Sequence, residues 1–165
     1  MGSCLCLGVS RMENAVAIPA GIVIAAVSAW ITVQLSLRRF RAEKWWEMKV
    51  EAYRRVIEAL HDATKYPEAH FDAVVGGYKI SDEGKKELRL IARKSSVEIL
   101  RATETGGLLL SSRALCRLRK YQVERMEVEH SGGDIASQYD LHLGAINACL
   151  NDLIDIARRD LKIDG

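Results

Sequence analysis

The chain has 165 residues (18.4 kDa), 24 Lys and Arg against 22 Asp and Glu, and a mean hydropathy of −0.05. These totals fit one ordinary soluble domain. Its 2 Pro, 12 Gly and 4 Cys are too few for collagen, a low-complexity coil or a Cys-stapled mini-protein, and a net charge of +2 excludes strong whole-molecule attraction to nucleic acid. The averages conceal two materials joined at Leu37/Arg38: residues 14–37 carry no charged side chain, whereas 44 of the 128 residues from Arg38 onward are charged.

Residues 1–14 form a short N-terminal segment. Met12 is an alternative start, because MENAVAIPAG leads straight into the apolar run. MGSCLC resembles a lipidation signal, but Cys6 stands where N-myristoylation needs Ser or Thr, so Cys4 and Cys6 receive no role.

Residues 15–37, AVAIPAGIVIAAVSAWITVQLSL, are expected to form a transmembrane helix. Twenty-three residues at ~1.5 Å each reach ~35 Å, enough for a hydrocarbon core of ~30 Å. Pro19 lies near the start of the run, where its missing N–H costs little. A cleaved signal peptide fits less well, since the run is long and the basic residues follow it. Arg38, Arg39, Arg41 and Lys44 on the C-terminal side, against Arg11 alone on the other, place residues 38–165 in the cytoplasm by the positive-inside rule. The expected arrangement is thus a single-pass membrane protein with its C-terminal domain in the cytoplasm. Phe40, Trp45 and Trp46 suit an interfacial belt; Trp30 is too deep for one.

Within the span, Ala17, Gly21, Ala25 and Ala29 recur every four residues, a small-residue ridge on which helices pack closely in lipid. Ser28, Thr32 and Ser36 form a neighbouring stripe, either a weakly polar pore lining or packing positions whose hydroxyls bond back to their own backbone. A homo-oligomer is expected, and nothing charged lines a pore.

The cytoplasmic part reads as a four-helix, all-α bundle, since no stretch alternates at period two. Helical period continues from the span to about Tyr66, with Trp46, Tyr53, Val56, Leu60 and Ala63 as the apolar stripe, and Pro67 is expected to break or kink the helix. Ser81 or Asp82 caps the next helix, whose stripe is Leu88, Ile91, Ala92, Ile99 and Ala102 and which Gly106–Gly107 end in left-handed fashion. After the Leu108–Leu110 connector, Ser111 or Ser112 caps a third helix. The last has the cleanest pattern: Tyr139, Leu143, Ile146, Leu150, Leu153 and Ala157. Trp45–Trp46, Leu108–Leu110 and the edge His142, Cys149, Ile156 complete either a monomeric core or a subunit interface.

No catalytic, cofactor-binding or metal-binding site is expected. The four His form no HxxxH or HExxH pair, no Cys lies at ligand spacing from a His, and the paired glycines punctuate helices rather than cradle phosphate. Cys116 and Cys149 read as small hydrophobes on helices. An enzyme is therefore not expected. Arg113, Arg117 and Lys120 share a face of the third helix, and Arg93 and Lys94 give the second a basic side. This surface either meets an anion, such as a lipid headgroup, nucleotide or single-stranded nucleic acid, or pairs with Asp140, Asp152 and Asp155 inside the bundle.

WWEMKVEAYRRVIEALHDATKY after a lone span, then ATETGGLLLSSRAL, then INACLNDLIDIARRDL resemble short bacterial membrane-anchored helical proteins over most of residues 12–163. Among these the chain is similar to the membrane effector of the Hailong antiphage defence system. That resemblance implies an oligomeric effector held inactive by an oligonucleotide (ssDNA) from a partner nucleotidyltransferase, with membrane disruption on release. The alternative is a non-channel scaffold or regulator whose anchor only localises a protein-binding bundle.

Overall fold

The computed structural model describes the backbone of residues 10–130 and 134–162, and the side chains of these from residue 26 on. The described chain is all-α: α1 (Ser10–Gly76), α2 (Asp82–Thr105), a 3-10 turn (Gly106–Leu108), α3 (Ser112–His130) and α4 (Ile135–Leu161), with no strand among the described residues. It divides into two compact units that meet at Trp45/Trp46.

The first unit is helical from Ser10 on, and its described side chains all stand exposed, including Trp30 at 64% and Leu35 at 61%. Among the described residues no helix is long and apolar enough to cross a membrane. Residues 15–25 of the expected span, with Ala17, Gly21 and Ala25, lie outside the residues whose side chains are described, as do Cys4 and Cys6. Ala29 is described and exposed. Thr32 donates its hydroxyl to the Ser28 carbonyl at 2.8 Å, a bond to its own helix.

The second unit is the helical bundle. Tyr53, Val56 and Leu60 of α1, Ile99 of α2, Ala114, Leu118 and Tyr121 of α3, and Ile146, Cys149 and Leu153 of α4 form one buried core. α3 and α4 pack most closely. Cys149 is wholly buried in this core, whereas Trp45 and Trp46 are about half exposed. In the Leu108–Leu110 connector only Leu110 is buried; Leu108 is 79% exposed.

Three local expectations need correction. α1 does not break at Pro67 but runs on to Gly76. The Pro67 ring is fully buried, and that packing offsets the lost backbone bond, whose removal costs ~3 kcal/mol in an isolated helix. Gly106 is right-handed (φ −69°), so α2 does not end in a left-handed glycine but tightens into the 3-10 turn. Glycine serves there by close approach: a Cβ would meet Leu110 Cδ1 at 2.8 Å. The inward stripe of α2 is only in part the expected row: Ile99 is buried and Ala102 packs on the core, Leu88, Ile91 and Ala92 are half-buried, and the other buried positions are Ser95 and Thr103. Ser95 and Thr103 are buried because their hydroxyls bond the Ala92 and Ile99 carbonyls.

The caps follow the expected chemistry. The Ser81 hydroxyl accepts from Gly84 N–H at 3.1 Å, and the Ser111 hydroxyl from Ala114 N–H at 3.3 Å. α4 ends at Lys162 in the left-handed region (φ 53°).

Candidate functional site

Ser111 caps α3 so that its second and third turns carry Arg117 and Lys120 toward Glu124. Arg117 is the pivot: Nε donates to Asp152 of α4 at 2.6 Å and Nη1 to Glu124 at 3.2 Å, with only 10% of the side chain exposed. Burial opposes its charge, but the bonds to Asp152 and Glu124 outweigh it and hold the pKa above the usual guanidinium value. Lys120 Nζ lies 3.5 Å from the other oxygen of Glu124. The basic row is thus tied to acidic partners at Arg117 and Lys120, whereas Arg93, Lys94 and Arg113 are exposed. Burial raises the carboxyl pKa of Asp160 at the end of α4, but hydrogen bonds from Ser111 and Tyr53, then the charges of Lys49 and Arg113, outweigh it and lower it.

A second polar cluster joins three helix segments. The Tyr53 hydroxyl of α1 donates to the Asp160 carboxylate and lies 3.2 Å from Ser111 Oγ, while the Ser111 backbone N–H donates to that hydroxyl at 3.3 Å. Lys49 Nζ donates to the Asp160 carbonyl at 3.2 Å. Tyr53 is almost fully buried, and burial together with the bond to Asp160 raises its pKa. A phenol held protonated and fully bonded is a clamp between helices rather than a proton donor to substrate.

A cavity of about 280 Å³ with several polar groups in its walls lies among all four helices of the bundle. Tyr66, Tyr139, Tyr121, Arg125, Glu129 and His142 are among its walls. Tyr66 stacks on His70 with ring centroids 4.2 Å apart, and Tyr139 closes on His70 at 5.3 Å. Arg125 donates to Ser96 at 3.0 Å and to Glu129 at 3.2 Å. Burial, reinforced by the Arg125 charge, lowers the pKa of His142, so its imidazole is neutral at pH 7. Such a cavity, lined by three tyrosines, a neutral imidazole and the Arg125–Glu129 pair, has the chemistry for a small polar ligand.

No group of three or more His, Cys, Asp or Glu among the described residues converges as a metal site. Burial pushes the Cys149 thiol up to about 11, which keeps it protonated and unreactive. The cavity and the Tyr53 clamp were not legible in the sequence, because Tyr66 and Tyr139, like Tyr53 and Asp160, meet across long stretches of chain. No protein-family model, curated protein or solved structure matches the chain.

Proposed function

We propose that the protein is a self-associating, membrane-anchored helical effector: residues 15–37 cross a bacterial inner membrane, the bundle lies in the cytoplasm and senses a ligand, and rearrangement of the associated spans permeabilises the bilayer. One observation carries the reading. Residues 14–37 hold no charge, and the large apolar side chains described there, Val27 to Leu37, are 42–64% exposed. Leaving such a side chain in water rather than burying it forgoes about 1.5–3 kcal/mol, and a bilayer relieves all of them at once. The four-residue ridge Ala17, Gly21, Ala25, Ala29 supports self-association in lipid. The resemblance to Hailong effectors supports the defensive role and an oligonucleotide ligand.

Expression of the chain alone should depolarise the membrane, and Gly21→Leu or Ala25→Leu should relieve it. An unchanged membrane potential would overturn the effector reading. Retained function after residues 12–37 are replaced by an unrelated span would instead favour the scaffold. For an oligonucleotide on the bundle surface, the contacts on offer are Lys94 and Arg113, since Arg117 is held by Asp152 and Glu124 and Lys120 by Glu124. Binding there should fall steeply with salt and be lost in Lys94→Glu/Arg113→Glu.

A further inference from the structure

The outward face of α2 carries a seam that the core does not use. Ser95, Ile99 and Thr103 point inward and are buried. On the opposite side Leu90, Arg93, Val97, Leu100 and Glu104 follow one another at spacings of 3, 4, 3 and 4. At ~100° per residue this gathers all five into an arc of about 80°, the a/d pattern of a coiled-coil seam. Leu90, Val97 and Leu100 are 62%, 51% and 46% exposed. Met126 of α3, 53% exposed, extends the apolar surface along a groove of about 370 Å³ that Val97 and Leu100 also line. Arg93 and Glu104 are exposed, and neither makes an ion pair among the described residues.

We propose that this face binds a second copy of the chain, with α2 packed antiparallel on the partner's α2. The charge pattern selects both occupant and direction. Arg93 stands four residues before Val97, and Glu104 four residues after Leu100. The seam is therefore symmetric about the point midway between Val97 and Leu100. A two-fold axis there sets Val97 against the partner's Leu100 and Arg93 against the partner's Glu104, and each contact occurs twice. A parallel pairing would oppose like charges at both positions. An unrelated helix would need its own complementary charges, whereas a second copy supplies them by symmetry. The apolar centre is flanked by two ion pairs at the edges, where charge specifies register rather than supplying most of the affinity. This contact lies in the bundle and is independent of any association between spans.

The test is the mass of the full chain in detergent by sedimentation, for the wild type, Arg93→Glu, Glu104→Arg and the double variant. The wild type should have an even number of chains per particle. Each single substitution places like charges opposite each other and should halve the mass. The double substitution restores opposite charges with the signs exchanged and should recover the wild-type mass, which a merely misfolded variant would not do. A monomeric wild type, four equal masses, or a double variant as small as the singles would overturn the proposal.

Discussion

Tyr53 binds three parts of the bundle with a single hydroxyl: its own helix α1, the Ser111 cap of α3 and Asp160 at the end of α4. Removing that hydroxyl leaves the ring packed but strips partners from two half-buried groups. Tyr53→Phe should therefore lower stability by about 1–3 kcal/mol, read from urea or thermal unfolding, with helix content unchanged before the transition. His142 makes a prediction in pH. Its pKa in the fold is depressed, by burial first and by Arg125 second, so the folded state binds fewer protons than the unfolded chain. The stability it contributes is fully present above the ordinary histidine value of 6.5 and is lost as pH falls below it through the folded pKa. Unfolding midpoints should drop between pH 7 and 5, and His142→Gln should flatten that slope. An equal slope in the variant would place the titrating group elsewhere.

At the scale of the element, Gly144 and Gly106 serve different ends. Gly144, inside α4, has open space where a Cβ would stand, so Gly144→Ala should stabilise by about 0.5–1 kcal/mol through helix propensity alone. Gly106 has the same right-handed backbone freedom for alanine, but the added carbon would press on the buried Leu110. Gly106→Ala should give no such gain and cost up to about 1–2 kcal/mol. Equal effects at the two positions would remove the close-approach account of Gly106. These elements also mark how far the sequence could be read. Existence, order and caps of the helices were legible because Ser81, Ser111 and the apolar row of α4 obey local rules. The burial of Ser95 and Thr103 beside Ile99 in α2 was not, since both look solvent-facing until their hydroxyls are seen to bond backward. Nor was the passage of α1 through Pro67, where tertiary burial overrides a local breaker. The cavity of Tyr66, Tyr139 and His142 and the Tyr53–Asp160 clamp depend on which helices become neighbours, and periodicity carries no such information. The pairing of Arg117 with Asp152 was legible as one of two alternatives, because acidic residues of α4 stood available to a basic row on α3.

At the scale of the molecule, the near-neutral total hides a charge-free stretch followed by a bundle one-third charged. The bundle has one buried core, its buried hydroxyls are bonded and Arg117 is paired, while the outer face of α2 stays exposed. In the first unit no described side chain is buried at all. On the proposed reading those side chains face lipid, Ala17, Gly21, Ala25 and Ala29 serve contact between spans, and the outer face of α2 serves contact between bundles. Extraction of membranes from expressing cells with alkaline carbonate tests the first assignment, on which the effector reading depends. The full chain should stay in the pellet, and a variant with Ile24, Val27 and Ile31 each replaced by Asp should move to the supernatant; release of the unaltered chain into the supernatant would contradict the account.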